Sequence, residues 1–160
     1  IDPYRDTSDS SGSSDESRFI YFVNTHLHDL MHDDYVRTLQ AEQMLFWVDQ
    51  IADFSKDLVF IVGDFNAKPD SKTYRYFIDR GYVSAHAHAN GSEPELTFPS
   101  GLQAEFMDTD PPGTFDYIFI KGKGCTIKSA EVLGRKCSEK DSTIFGSDHL
   151  AIAADLDIEL

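Results

Sequence analysis

The spacing of apolar residues over the first half of the chain predicts two strands with a helix between them. The segment RFIYFVN at 18–24 is aromatic and β-branched, which is typical of a strand. The segment LVFIV at 58–62 is short and wholly apolar, which predicts a strand covered on both faces. Over 34–54, apolar residues at three- and four-residue steps predict an amphipathic helix packed on the sheet: Val36, Leu39, Met44, Trp47, Val48 and Ile51.

The second half of the chain is predicted to hold one more helix and three strands. DSKTYRYFIDRG at 70–81 predicts a helix that begins with Asp70 or Ser71 as its N-cap and ends at Gly81. Residues 84–113, rich in Gly, Pro, His and Asn, are predicted to be irregular. Strands are predicted at 114–122 and 125–133, joined as a hairpin, and at 149–158. This order predicts an α+β fold, in which one mixed, mostly antiparallel sheet carries helices on one face.

Composition divides the chain into two parts and limits its partners. Residues 1–17 are rich in Ser and Asp and predict a mobile segment, whereas 18–160 supply the apolar residues of one domain. The net charge is −14, from 14 basic and 28 acidic residues. A domain that grips nucleic acid through its phosphates normally has a basic face, so this balance disfavours such binding unless metal ions or absent chain supply positive charge.

Targeting signals and cysteines add two further expectations. No stretch approaches the roughly 18 apolar residues of a membrane span, and no signal-peptide pattern is present. We therefore expect an intracellular protein without a transmembrane segment, although Ile1 is not a natural start and indicates a missing N-terminus. Cys125 and Cys137 are too few for a disulfide framework; they are predicted to be free, partly buried thiols, with a single bridge as the alternative.

Polar side chains occur near one end of each of four predicted strands. Any one of them is explained by a turn, because Asp and Asn bond nearby backbone groups. Four together favour a functional site, because strand ends place polar groups rigidly at the rim of a sheet, where ligands bind. The residues concerned are His26, Asp64, Asn66, Asp116, Asp148 and His149.

The sequence motifs at these strand ends resemble those of the endonuclease/exonuclease/phosphatase superfamily. The matching pieces are VNTHLH, GDFNAKPDS, FDYIFIKG and GSDHLAIAADL, in that order, and the resemblance covers residues 18–158. It implies a four-layer αββα sandwich of which 18–160 form the C-terminal half. The family's preceding half supplies an Asn and a metal-binding Glu, and this chain begins too late to contain them.

The resemblance also implies a role for each matching residue. Asp64 and Asn66 would hold and activate the attacking water or bind a metal, and Asp148 would contribute to the metal site. Carboxylate and amide oxygens suit a hard ion such as Mg²⁺ or Mn²⁺, so the implied metal ligands are Asp64, Asn66 and Asp148.

Two histidines and a third carboxylate complete the implied site. His26 would bind the phosphate, and His149 would pair with Asp116. An Asp bonded to a His fixes its tautomer and can keep it cationic beside a phosphate.

The implied activity is metal-dependent hydrolysis of a phosphodiester or phosphomonoester by an activated water. The substrate would be a small molecule, a lipid headgroup or a nucleic acid, and the acidic composition favours the first two over long DNA. Because the Glu lies in the preceding half, we expect this fragment alone to be nearly inactive. We also expect the sheet face that meets that half to be bare and open to dimerisation. The alternative is a non-catalytic scaffold or assembly subunit that keeps the fold.

Other histidines and three aromatic residues have competing interpretations. THLHDLMHD fits the metallo-β-lactamase motif at His26 and His28 only, because Leu30 and Met31 stand where that motif needs Asp and His. The remaining histidines are predicted as surface loop residues: His28, His32, His86 and His88. Three aromatic residues could stack on a base, although core packing is expected for at least two of them: Phe98, Phe106 and Tyr117.

Overall fold

Strands and helices alternate through the first half of the computed structural model, which describes residues 17–30, 32–105 and 109–159. The elements within those ranges, in chain order, are β1 (Ile20–His26), α1 (Asp34–Ile51), β2 (Leu58–Asp64), α2 (Lys72–Asp79), β3 (Val83–Ser84), α3 (Ala85–Asn90), β4 (Asp116–Gly122), β5 (Cys125–Leu133) and β6 (Ala151–Ile158). The predicted mobile segment 1–17 lies outside the described residues except for Ser17, and so does Phe106.

The main sheet has four strands in the order β1-β2-β4-β3. Strand β2 runs parallel to β1 and antiparallel to β4, which is in turn antiparallel to β3. The first four residues of β2, Leu58 to Ile61, are all buried. The apolar segment is therefore a central strand covered on both faces, as its composition predicts.

Helices α1 and α2 cover one face of this sheet. Leu45 and Val48 of α1 and Phe77 of α2 share a core with Ile61 and Phe119 of the sheet. The rings of Phe77 and Phe119 stack with centroids 4.8 Å apart. The mixed sheet is as predicted, but the apolar stripe predicted for α1 is only partly correct. Met44 and Val48 lie in the core, whereas Leu39, Trp47 and Ile51 are 43%, 62% and 49% exposed.

Strand β5 does not extend the main sheet, so the predicted hairpin of 114–122 with 125–133 is wrong. It pairs with β6 instead, in antiparallel register from Cys125↔Ile158 to Leu133↔Ala151, and makes a separate two-stranded sheet. Gly122 and Gly124 both have positive φ, at 129° and 65°, and turn the chain out of the sheet plane. Alternating apolar residues need cover on one face only, and stacking a strand over a sheet provides it as well as pairing does.

The second face of the main sheet is consequently not bare, contrary to the expectation. Strands β5 and β6, together with α3, pack over Leu58, Phe60 and Ile120. Phe22 of β1 stacks on Phe60 at 4.8 Å and is still 73% exposed. The uncovered part of this face thus lies along β1, and helices occur on both faces.

The region 84–113 contains a short helix that its composition did not predict. Helix α3 carries His86 and His88, which are therefore helical rather than loop residues. Gly91 ends it with a φ of 80°, and Asn90 Nδ2 donates to the Ala130 carbonyl oxygen at 2.9 Å. Six residues are too few for a stable isolated helix, so tertiary packing decides this element.

Other local predictions are confirmed within the described ranges. Ser71 caps α2 by accepting a hydrogen bond from the Tyr74 backbone N–H at 3.1 Å. Cys125 and Cys137 are free and half-buried. Phe98 and Tyr117 are core residues, at 3% and 2% exposure. No helix among the described residues combines the length and apolar character that crossing a membrane requires.

Gly63 allows β1 and β2 to approach closely beside the polar strand ends. Its φ is +131°, and an added Cβ would collide with the Thr25 carbonyl oxygen. We expect Gly63→Ala to lower the free energy of unfolding by more than the roughly 1–3 kcal/mol of backbone strain alone. Gly81→Ala is the matched control, because Gly81 has a φ of +81° with no atom within 4 Å of the added Cβ. Urea unfolding measures both variants, and equal losses would contradict the explanation.

Candidate active site

Strand register places three polar side chains in one row. His26 of β1 pairs with Asp64 of β2, and Asp64 pairs with Asp116 of β4. Register partners on neighbouring strands project from the same face of a sheet, so the three side chains lie side by side. The row lies where β1 and β2 end and β4 begins, which agrees with the predicted convergence of the strand ends.

His149 joins this row from the segment before β6. Its Nδ1 lies 2.8 Å from Asp116 Oδ2, which confirms the predicted pair, and its Nε2 lies 3.7 Å from Asp64 Oδ2. His26 Nε2 lies 3.6 Å from the same Asp64 oxygen. One Asp64 carboxylate oxygen therefore faces two imidazoles, and Asp116 orients one of them.

The environment raises the pKa of both His149 and Asp64. For His149 the main cause is the hydrogen bond to Asp116, which outweighs the opposing effect of burial; negative charge at Asp64 adds to the rise. For Asp64 the main cause is burial, with a further contribution from the Asp116 charge. The site thus holds a histidine that is easier to protonate beside a carboxylate that is a stronger base than usual.

Asp64 and Asn66 also make the tight turn that their sequence suggests. Asp64 Oδ1 accepts a hydrogen bond from the Asn66 backbone N–H at 2.8 Å. Asn66 has a φ of 49° and is buried, and its Nδ2 donates to the Leu27 carbonyl oxygen at 3.0 Å. The turn interpretation is correct, and the same turn fixes the positions of Asp64 and Asn66.

Residues 97–100 connect the His149 segment to β4 through hydrogen bonds and ring packing. Thr97 Oγ1 accepts hydrogen bonds from the backbone N–H groups of Phe115 and Asp116, and the Thr97 carbonyl accepts one from Leu150 N. The Ser100 N–H donates to the Asp148 carbonyl at 2.6 Å. The Phe98 ring packs on the His149 imidazole with centroids 5.0 Å apart.

All six predicted site residues line a single cleft of about 390 Å³. Sequence reasoning missed two further lining residues, Asp29 and Ser147. Ser147 Oγ accepts from the His149 N–H and donates to Asp148 Oδ1, both at 3.1 Å, and its only sequence signal is its place before the Asp-His pair. Asp29 stands three residues after His26 in a polar loop and has no distinguishing pattern.

The donor atoms in the cleft suit a hard divalent ion. Among the described residues, ligand atoms of Asp64, Asp116 and His149 lie within 4.8 Å of one another. The sequence-predicted ligands Asn66 and Asp148 line the same cleft. Several carboxylates converge here, and an ion such as Mg²⁺ prefers oxygen ligands. The geometry adds Asp116 to the candidate ligands.

Known proteins of one family resemble this chain. Residues 4–149 match the model of the Endonuclease/Exonuclease/phosphatase family. Mouse 2',5'-phosphodiesterase 12 is 28% identical over an aligned length of 169 residues, which covers 90% of this chain and 27% of the mouse protein. The chain therefore spans about a quarter of that relative.

Solved structures share the fold. The human Nocturnin catalytic domain superposes with a TM-score of 0.65 and 25% identity, covering 85% of this chain and 46% of that one. TDP2 from D. rerio, solved in complex with a single-strand DNA product, gives a TM-score of 0.67 at 17% identity, over 85% of this chain and 55% of that one. The chain spans about half of each.

Replacing Asp116 by Asn removes the main cause of the raised His149 pKa. We therefore expect Asp116→Asn to lower the pKa of His149 in metal-free protein, and Asp148→Asn to lower it less, because the Asp148 charge is the weakest of the contributions. An NMR titration of the His149 ring in the presence of EDTA measures both variants. An unchanged His149 pKa in Asp116→Asn would contradict the assigned role of the pair.

The same pair links stability to pH. Since the pKa of His149 in the folded protein exceeds its ordinary value of 6.5, its stabilising contribution is complete below that pH. The contribution is lost as pH rises through the folded-state pKa. Chemical unfolding across this window should show a smaller decline for Asp116→Asn than for the wild type.

Proposed function

Because the chain belongs to the Endonuclease/Exonuclease/phosphatase family, we propose that its cleft hydrolyses a phosphodiester or phosphomonoester with an activated water. The observation that carries this proposal is the row of Asp116, His149 and Asp64. His149 is bonded to Asp116 at 2.8 Å and presents Nε2 to Asp64 at 3.7 Å. A base and a cationic donor next to each other are the groups that phosphoester hydrolysis requires.

Asp64 is the proposed base. Its raised pKa makes it a better proton acceptor than an exposed carboxylate, and Asn66 N–H holds one of its oxygens by a 2.8 Å hydrogen bond. The other oxygen faces the cleft between His26 and His149. A water bonded to that oxygen would give it a proton while the water oxygen attacks phosphorus. The ester phosphorus–oxygen bond would then break, and its electron pair would leave on the ester oxygen.

His149 and His26 are the proposed partners of the phosphoryl oxygens. The bond to Asp116 occupies Nδ1 of His149, so its Nε2 is the atom that can donate into the cleft. The raised pKa favours the cationic form, which stabilises negative charge that develops in the transition state. His26, with a 70% exposed side chain, can approach a bound phosphate from the β1 side.

The proposed cofactor is Mg²⁺ or Mn²⁺, held by Asp64, Asn66 and Asp148 with Asp116 as a further candidate. Such an ion supplies positive charge to the non-bridging oxygens and lowers the pKa of a coordinated water. The carboxylates of the cleft outnumber its two histidines, and this excess of negative charge favours binding of the ion. The carboxylates are those of Asp29, Asp64, Asp116 and Asp148.

We further propose that this chain is the C-terminal half of the domain and needs the preceding half for full activity. Support comes from its span, which is 46% of the Nocturnin domain. The family resemblance places one further metal-binding carboxylate, a Glu, in the preceding half, where it would help complete the near-octahedral coordination that Mg²⁺ prefers. The packing of β5 and β6 on the second face removes the reason for the predicted dimer, which we do not propose.

The proposed substrate is a small phosphoester or a lipid headgroup rather than long DNA. The net charge of −14 opposes non-specific binding to a polyanion. Phe98 and Tyr117 are buried in the core and are not available to stack on a base. The intact row of Asp64, Asp116 and His149 supports catalysis over the alternative scaffold role.

In protein that contains both halves, Asp64→Ala should abolish Mg²⁺-dependent hydrolysis of bis-p-nitrophenyl phosphate. Loss of a general base costs roughly 10²–10⁴-fold in rate. Asp157→Asn is the matched control, because Asp157 is an exposed acid on β6 that pairs with Lys128 at 2.9 Å. EDTA should remove the wild-type activity. Hydrolysis that survives Asp64→Ala would refute the proposed base.

Residues 1–160 alone should bind Mn²⁺ weakly and turn over the same substrate near the background rate, because the coordination shell of the metal ion is incomplete without the preceding half. Adding the preceding half should raise both metal affinity and turnover. Titration of bound Mn²⁺ by electron paramagnetic resonance measures the first, and steady-state kinetics the second. Turnover by 1–160 alone, at a rate that Asp64→Ala abolishes, would show that the preceding half is not required.

A further inference from the structure

Helix α1 has an arginine at the first position of its buried face. The buried residues of the helix follow one stripe: Arg37, Ala41, Met44, Leu45 and Val48. Arg37 is only 2% exposed. Burying a guanidinium costs free energy unless its N–H groups find acceptors, so the bonds that Arg37 makes indicate its purpose.

Arg37 binds the loop that leads out of β1. Its Nη1 donates to the carbonyl oxygens of Leu30 at 2.6 Å and His28 at 3.2 Å. One helical turn later, Gln40 Oε1 accepts the His28 backbone N–H at 2.9 Å. Both polar backbone groups of His28 are therefore bonded to side chains of α1.

The residue before His28 is held from the opposite side by the site itself. The Leu27 N–H donates to the Asp64 carbonyl oxygen at 2.9 Å, and the Leu27 carbonyl accepts from Asn66 Nδ2 at 3.0 Å. Four consecutive backbone groups thus connect Asp64 and Asn66 to Arg37 and Gln40. His26 precedes this bridge.

We propose that Arg37 and Gln40 are positioning residues for the cleft. They clamp His28 to α1, so that the segment from His26 to Asp29 forms a fixed wall beside Asp64 and Asn66. The role of this wall in turnover rests on the proposed hydrolase function, whereas the clamp itself does not. Asp29 lies between the two residues whose carbonyl groups Arg37 binds, His28 and Leu30, and it lines the cleft.

The test uses protein that contains both halves and compares variants of one helix. Arg37→Met removes the donors while keeping an unbranched chain, and Arg37→Lys keeps the charge without the planar fork. Gln40→Met removes the acceptor at an exposed position, so it folds even where Arg37→Met does not. Thr38→Val is the matched control, because Thr38 bonds to Asp34 O and Thr73 Oγ1, away from the loop.

Amide hydrogen exchange provides a readout that is independent of activity. We expect faster exchange at 27–30 in Arg37→Met and Gln40→Met, a smaller rise in Arg37→Lys, and none in Thr38→Val. Unchanged exchange at 27–30 in Gln40→Met and Arg37→Met would overturn the clamp. A wild-type protein that shows no hydrolysis would refute the proposed function, and exchange would still decide the clamp.

Kinetics then separate positioning from general destabilisation. Displacement of a positioned group by about 1 Å costs on the order of 10²-fold, so we expect kcat/KM to fall by roughly 10–100-fold in Arg37→Met. Thr38→Val should leave it unchanged. Combining Arg37→Met with His26→Ala should cost less than the product of the two single losses, because both act on one wall. Fully multiplicative losses would overturn the positioning role.

Discussion

The register of the three central strands is the constraint on which the site depends. His26, Asp64 and Asp116 form a row only because β1, β2 and β4 pair in one alignment. A slip of one residue would turn every side chain of β2 to the opposite face. The apolar core on both sides of β2 opposes such a slip, since Phe60 packs toward β5 and β6 while Ile61 packs toward the helices. Hydrophobic burial thereby fixes which side chains meet at the strand end.

The row of His26, Asp64 and Asp116 carries an electrostatic cost in the free energy of folding. Asp64 has a pKa raised above 3.8, chiefly by burial. A carboxyl group that is harder to ionise when folded favours the folded state at low pH, and this advantage is lost as pH rises through its folded pKa. Ionisation of Asp64 therefore reduces the stability of the folded state. His149 offsets part of this cost, since its pKa is raised and its ring lies between Asp64 and Asp116. Groups whose pKa values are shifted by burial and by specific charge partners cluster at functional sites.

Local patterns predicted the elements and the convergence of polar strand ends better than they predicted how strands associate. The strand at 58–62 and the polar residues at its end were predictable, because a wholly apolar run followed by Gly, Asp and Asn has few interpretations. The partner of β5 was not, because an alternating strand satisfies its apolar face equally by pairing or by stacking. Arg37 carries no sequence signal, because its purpose is visible only in the carbonyl groups it meets. Asp29 and Ser147 were missed for the same reason.

The walls of the cleft differ in how they are fixed. The row of Asp64 and Asp116 is part of a sheet, and its geometry follows from backbone pairing. The wall that carries His149 depends on the hydrogen bonds made by residues 97–100. The opposite wall depends on the hydrogen bonds to Leu27 and His28. Loops tolerate sequence change more readily than central strands. A fold of this design can keep the row of Asp64, Asp116 and His149 while its loops change the shape of the cleft. Under the proposed function, side chains such as Arg37 that fasten those loops would act on the reaction without contacting the phosphate.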